Sequence, residues 1–151
     1  MMKLHQLLAT GLGIGYIGKG GGTIAALACC IVWYTTQAGG TNNWVALLIT
    51  ILIVIIGICN GNKVEAAWGK DSSKVVIDEI AGMCITLLFV PVTILNIFNG
   101  LVLFRFFDIV KPLFIKKMEQ LPGGWGVMMD DVLAGIYANV LLQIIVCVFN
   151  T

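Results

Sequence analysis

Apolar residues dominate the chain in long, uninterrupted runs. No charged residue occurs from Gly20 to Asn62, from Ile80 to Phe104, or from Val132 to Thr151. A transmembrane helix needs about 20 predominantly apolar residues, so each of these runs can hold at least one crossing. The pattern therefore predicts a chain that passes through a lipid bilayer several times.

Turn-forming residues divide these runs into five apolar segments. Clusters of glycine, asparagine and proline at 39–43, 60–62, 96–100 and 122–124 mark the predicted breaks. The predicted segments, named A to E in chain order, cover Thr23–Thr36, Trp44–Cys59, Ile80–Leu95, Ile97–Val110 and Val132–Phe149. We predict one all-α domain over residues 1–151, a small polytopic membrane helical bundle, with an interfacial helix at Met2–Leu12.

Composition supports a membrane location and excludes several classes of protein. The chain is 59% hydrophobic and 11% charged, whereas soluble domains carry about 25% charged residues. The net charge of +1 gives no electrostatic reason to expect nucleic acid as a partner. The five cysteines lie in apolar segments without metal-ligand spacing, so we interpret them as small buried hydrophobic residues.

The distribution of charge predicts a topology. With five crossings, the nine basic and eight acidic residues all fall on one side of the bilayer. The turns between A and B and between C and D carry no charge, and neither does the C-terminus. Lysine and arginine are enriched on the cytoplasmic side of membrane proteins, so we predict that the charged side faces the cytoplasm.

Three acidic clusters stand at the charged ends of the apolar segments. Asp78-Glu79 precedes segment C, Asp108 lies near the end of D, and Asp130-Asp131 precedes E. Carboxylates at a membrane boundary must be solvated, paired or bound to a cation, and Mg²⁺ prefers oxygen ligands. We predict all five as catalytic and metal-binding residues. The alternative is that they only cap helices and oppose the helix dipole.

Small residues follow two of these acids at helical spacing. Gly82 comes four residues after Asp78, and Gly135 comes four residues after Asp131. Residues four apart share one face of a helix, and glycine there allows another helix to approach closely. We therefore expect both acids to lie on a packed helix seam and not on a lipid-facing surface.

Four residues are candidates for binding a substrate phosphate. Lys19 and Thr23 lie in the glycine-rich stretch 18–23, which leads into segment A and resembles a backbone cradle for an anion. Arg105 and Lys111 flank Asp108, and arginine is a fork of donors suited to phosphate. Two alternatives stay open: stretch 18–23 is a flexible turn, or Arg105 forms a structural ion pair with Asp108. A second glycine-rich stretch, 123–126, is predicted to be a loop over the site.

Three motifs resemble those of the bacterial phosphatidylglycerophosphatase A family. The matching runs are Ile77-Asp78-Glu79-Ile80-Ala81-Gly82-Met83, Phe104-Arg105-Phe106-Phe107-Asp108-Ile109-Val110-Lys111-Pro112 and Gly124-Trp125-Gly126-Val127-Met128-Met129-Asp130-Asp131-Val132-Leu133-Ala134-Gly135. The N-terminal motif departs from the family, because Gly18 and Gly21 replace its prolines. The resemblance implies a Mg²⁺-dependent phosphatase of the bacterial inner membrane that converts phosphatidylglycerophosphate to phosphatidylglycerol in phospholipid biosynthesis.

Two other classes of protein fit part of the pattern. A small ion or proton transporter also uses membrane carboxylates, but it should place them near the bilayer midplane. A structural membrane subunit would use the acids only as helix caps. The position of the acids at segment ends favours a surface site and therefore an enzyme acting on the phospholipid. The sequence leaves open the oligomeric state and which carboxylate acts as general base.

Overall fold

A computed structural model of the protein describes residues 4–69 and 72–149, and these residues form helices without any strand. Lys70 and Asp71 lie outside the described residues, as do Met2 and Lys3 of the predicted interfacial helix. The α-helices are α1 Leu4–Ala9, α2 Gly21–Thr36, α3 Ala38–Thr41, α4 Asn43–Trp68, α5 Ile77–Leu87, α6 Ile94–Val110, α7 Ile115–Met118 and α8 Gly124–Phe149, with a 3₁₀ turn at Ile14–Ile17. The all-α fold class is confirmed.

Two of these helices are long and apolar enough to cross a membrane. Helices α4 and α8 each have 26 residues, with mean hydropathies of 2.5 and 2.3 over their most apolar windows, and each is about 39 Å long. Large side chains such as Leu48, Ile55 and Val148 are exposed along them. Extended apolar surface of this kind indicates contact with lipid and hence a membrane protein.

Local capping residues explain where the helices begin. The side chain of Asn42 accepts hydrogen bonds from the backbone N–H groups of Trp44 and Val45 at the start of α4. Thr93 accepts one from the N–H of Asn96 at 3.1 Å at the start of α6. Helix α6 ends at Val110, and the next residue, Lys111, adopts a left-handed conformation directly before Pro112.

Several predicted breaks are wrong, because tertiary contacts override the turn-forming residues. Helix α4 continues through Asn60-Gly61-Asn62 to Trp68. Gly61 packs against Gly124 of α8, and the N–H of Gly124 donates to the side chain of Asn62 at 2.8 Å. The asparagines and glycine at 96–100 likewise lie inside α6.

Segment C is shorter than predicted. Helix α5 ends at Leu87, ahead of Pro91. The amide of Asn139, in the middle of α8, donates hydrogen bonds of 2.9 and 2.8 Å to the carbonyls of Thr86 and Leu88. These bonds satisfy two of the carbonyl groups that a helix end leaves unpaired.

The cysteine prediction holds for part of the set. Cys30 and Cys84 are buried and Cys29 is half-buried, whereas Cys59 and Cys147 are exposed. The exposed pair lies on the outer surfaces of α4 and α8, where an apolar side chain faces lipid in a membrane protein. The prediction that the cysteines are buried is therefore wrong for these two residues.

A tight helix crossing brings α5 against α8. A Cβ atom on Gly82 would lie 2.5 Å from the Cε2 atom of Phe104 and 2.7 Å from the carbonyl oxygen of Asp131. A Cβ atom on Gly135 would overlap the carbonyl oxygen of Gly82. The two glycines therefore face each other, which confirms the predicted seam.

We predict that Gly82→Ala destabilises the protein by about 1–3 kcal/mol, because the added methyl group must displace a ring or a backbone segment. Thermal unfolding in detergent measures this change. Gly40→Ala is the matched control, since its Cβ atom would meet its nearest neighbour at an ordinary 3.6 Å. Equal stabilities of the two variants would contradict the tight crossing.

Candidate active site

Three carboxylates from α5 and α8 converge about one helical turn before the crossing of Gly82 and Gly135. Asp78 and Glu79 belong to the first turn of α5, and Asp131 lies two turns into α8. One oxygen atom from each carboxylate lies within 4.8 Å of the others. Ligands on opposite sides of one Mg²⁺ ion are about 4 Å apart, so small side-chain movements allow these three to share a cation.

A polar cavity of about 230 Å³ contains this cluster. It brings together all five of the acids that the sequence predicted for the site. The residues that line it are Ser72, Ser73, Val75, Asp78, Glu79, Asp108, Lys111, Glu119, Val127, Asp130 and Asp131. Helices α5, α6 and α8 therefore each contribute carboxylates to one space. Their roles in catalysis and metal binding stay predictions.

Two buried carboxylate oxygens in this cavity have no hydrogen-bond partner among the described residues. They are the Oε2 atom of Glu79 and the Oδ1 atom of Asp130. Burying a charged oxygen without a donor or a cation is costly, so such atoms need an explanation. A divalent cation with oxygen ligands would satisfy them, and the donor set of the cavity fits Mg²⁺.

The basic residues divide the five acids into two groups. Asp108 forms an ion pair with Arg105, and Asp130 forms one with Lys111. Within residues 4–69 and 72–149, no ion pair reaches the other three acids, which are the cluster of Asp78, Glu79 and Asp131. The group without a basic partner is therefore the one whose oxygens are close enough to share a metal ion.

Lys111 is the main cation of the cavity. Its Nζ atom lies 2.7 Å from Oδ2 of Asp130 and also contacts the carboxylate of Glu119. Burial alone would lower the pKa of the Lys111 ammonium group, but the two carboxylates raise it above its ordinary value of 10.5. Lys111 is therefore charged at every physiological pH.

Arg105 lies at the edge of the site. It does not line the polar cavity, and its Nη1 atom donates to Oδ2 of Asp108 at 2.5 Å. The two side chains are three residues apart on α6 and are 22% and 14% exposed. Arg105 thus holds the Asp108 carboxylate, and its exposed part leaves it able to meet an anion.

The N-terminus of α2 meets the site through Glu79. A Cβ atom on Gly22 would overlap the Glu79 carboxylate, so only glycine allows this approach. Lys19 is exposed and Thr23 is half-buried, and neither lines the polar cavity. The structure therefore brings the glycine-rich stretch beside the acids without placing these two side chains among them.

The second glycine-rich stretch is not a loop over the site. Residues 124–126 form the first turn of α8, because Gly124 packs against the carbonyl of Ile58 in α4. Sequence reasoning also missed Glu119, Ser72 and Ser73 as residues of the cavity. The only signal for Glu119 was its position among the lysines that follow α6, and no sequence signal identified the serines.

Comparisons with known proteins identify the family of this chain. The family profile described as phosphatidylglycerophosphatase A matches residues 7–146. This chain belongs to the phosphatidylglycerophosphatase A family. The match includes all three motifs that resembled the family, and membership makes the protein a phosphatase.

Three relatives extend over nearly the whole of this family member. A protein of Bacteroides thetaiotaomicron, described as a candidate phosphatidylinositol-3-phosphatase, is 42% identical over 93% of this chain and 92% of its own length. The phosphatidylglycerophosphatases A of Haemophilus influenzae and Escherichia coli are 37% and 32% identical, over 91% and 96% of this chain and 85% of their own lengths. No solved structure matches the chain.

We predict that Lys111→Met destabilises the protein by about 1–3 kcal/mol, because it leaves Asp130 buried without its cation. The pH dependence of this destabilisation follows from the direction in which the pKa of Lys111 is shifted. A raised pKa in the folded state gives stability that is present below pH 10.5 and is lost as the pH rises through the folded-state pKa. The difference in unfolding midpoint between wild type and variant should therefore be the same at pH 7 and pH 9.

Lys116→Met is the control for this measurement, since Lys116 is exposed and removing its charge leaves the cavity unchanged. If the difference in unfolding midpoint between wild type and Lys111→Met vanishes by pH 9, the ion-pair role of Lys111 is contradicted.

Proposed function

We propose that the protein hydrolyses the terminal phosphate of phosphatidylglycerophosphate, giving phosphatidylglycerol and phosphate for phospholipid biosynthesis. The observation that carries this proposal is the cavity in which five carboxylates and Lys111 meet, in a chain of the phosphatidylglycerophosphatase A family. Carboxylates suit a metal ion and cations suit a phosphate, so the cavity has both parts of a phosphomonoesterase site. The apolar surface of the helices suits a lipid substrate.

The proposed location is the bacterial inner membrane, with the cavity at the cytoplasmic face. Five crossings, one for each of α2, α4, α5, α6 and α8, would put every charged residue on that face. Two positions support this arrangement: Asp78 lies in the first turn of α5, and Asp108 lies in the last turn of α6. The short α5 would require local thinning of the bilayer or a shared crossing with the chain that follows it.

Mg²⁺ is the proposed cofactor, and Asp78, Glu79 and Asp131 would hold it. When bound, the ion would polarise the phosphomonoester and lower the pKa of a water molecule. Asp130 and Asp108 line the same cavity but are already paired with basic residues. A carboxylate that does not bind the metal is then available as general base for the attacking water.

The basic groups would stabilise charge on the phosphate oxygens. Lys111 is charged and lines the cavity, so it can bind an oxygen that gains charge in the transition state. Arg105 would bind the phosphate with the donors that Asp108 leaves free. Lys19 and Thr23 would act from the N-terminus of α2, where backbone N–H groups favour an anion.

A phosphoinositide is the second candidate substrate. The relative from Bacteroides thetaiotaomicron is described as a candidate phosphatidylinositol-3-phosphatase and is 42% identical to this chain. Both substrates are phosphomonoesters on a diacyl lipid, so the same cavity chemistry could serve either. An ion transporter is less well supported, since Asp78 and Asp108 lie at helix ends.

We predict that Asp78→Asn, Glu79→Gln and Asp131→Asn each lower phosphate release from phosphatidylglycerophosphate by about 10²-fold or more. Each variant removes one charge from the cluster that would hold the metal. The measurement is phosphate release in detergent micelles with Mg²⁺, with chelator, and with phosphatidylinositol 3-phosphate in place of the first substrate.

Glu65→Gln is the matched control, because it removes the same charge from α4 outside the polar cavity. Full activity in the three cluster variants would contradict their metal-site role, and activity that is unchanged by chelator would contradict the Mg²⁺ requirement. A higher rate on phosphatidylinositol 3-phosphate would reassign the substrate while keeping the reaction.

The proposed topology has a separate test in a variant whose native cysteines are replaced by alanine. A cysteine introduced as Lys116→Cys should react with a membrane-impermeant maleimide only in inside-out vesicles. A cysteine introduced as Asn42→Cys, in the charge-free turn between α2 and α4, should react only in intact spheroplasts. Labelling of both from the same side would contradict an odd number of crossings between them.

A further inference from the structure

A large apolar cavity lies between α2, α4 and α5. Its volume is about 600 Å³, which is within the range of cavities that bind small molecules. On α2 its lining runs from Ala25 to Thr36, a distance of about 16 Å at 1.5 Å per residue. We call this elongated cavity the acyl slot.

The side chains along α2 explain why the slot is open. Ala25, Ala28 and Cys29 are small and line the part of the slot nearest the N-terminus of α2, and the larger Trp33 lies about one turn beyond Cys29. Val45 and Ile49 of α4 form the opposite wall. An apolar space that extends for about three turns of a helix fits an alkyl chain better than a compact polar molecule.

Neighbouring residues in the first two turns of α5 line the polar cavity and the slot. Asp78 and Glu79 line the polar cavity, while Ile80 and Cys84 line the slot. Glu79 also packs against Gly22, one turn before the slot begins on α2. The part of the slot that Ile80 lines is therefore next to the acidic cluster along α5.

We propose that the acyl slot binds one fatty acyl chain of the phospholipid whose phosphate is hydrolysed in the polar cavity. This inference rests on the proposed lipid phosphatase function. A diacyl phosphomonoester has a charged end and an apolar end, and the two adjoining cavities have matching polarity. Binding the chain in the slot fixes the distance of the phosphate from the membrane and orients it toward the carboxylates.

The test compares two substrates that differ only in their chains. One is dioleoyl phosphatidylglycerophosphate in mixed micelles, and the other is its deacylated, water-soluble headgroup. Ala28→Phe fills the slot from α2, and Ile49→Trp fills it from α4. Each should lower kcat/KM on the dioleoyl substrate by about tenfold or more, while the rate on the headgroup stays within about twofold of wild type.

Ile51→Trp is a closely matched control. Ile49 and Ile51 are on the same helix and are 49% and 46% exposed, but Ile51 does not line the slot. The control variant should keep both activities. Equal losses on the two substrates in the slot variants, or no loss on either, would overturn the proposal.

A binding measurement decides the proposal independently of catalysis. A phosphatidylglycerophosphate with a photoactivatable group in one acyl chain should cross-link to the peptides that line the slot, and Ala28→Phe should abolish that cross-link. An equal yield with a lipid that lacks the headgroup phosphate would assign the slot to bulk membrane lipid and overturn the proposal. If wild type hydrolyses neither substrate, the proposed function fails, and the cross-link still tests the slot.

Discussion

The structure depends on the close approach of two helix backbones at Gly82 and Gly135. Any side chain larger than hydrogen at either glycine would separate α5 from α8. Because Asp78 and Asp131 each lie one helical turn before these glycines, the crossing also sets the separation of their carboxylates. Packing energy between apolar helices thus holds together negative charges that would otherwise repel one another.

The free-energy cost of burying these carboxylates differs from one position in the cavity to another. Charges removed from water need partners, and truncating a partner is usually more damaging than never having the pair. Arg105 and Lys111 neutralise Asp108 and Asp130 at the edges of the cavity. The three carboxylates at the centre have no basic partner among the described residues. The proposed cation would supply the missing partner, and Arg105 and Lys111 would then bind the anion of the substrate.

The sequence was a good guide to the site and a weaker guide to helix boundaries. The five acids stand at the charged ends of apolar segments, which predicted that they would share one side of the bilayer. Helical periodicity places Asp78 and Asp131 on the same faces as Gly82 and Gly135. The ends of α4 and α5 did not follow from local rules. Asn62 and Gly61 look like a turn until Gly124 of α8 packs against them. The same limitation explains why Glu119 was missed. Its position in the cavity depends on how the chain folds back after α6.

The broken end of α5 has a consequence for assembly. Its last carbonyl groups are satisfied by Asn139, about 50 residues later in the chain. In hydrocarbon an unsatisfied carbonyl is costly, and water cannot replace the missing donor. Helix α5 therefore cannot reach its final state while it is the newest segment to leave the ribosome. Its completion must wait for α8, so the acidic cluster forms only after α8 has packed against α5.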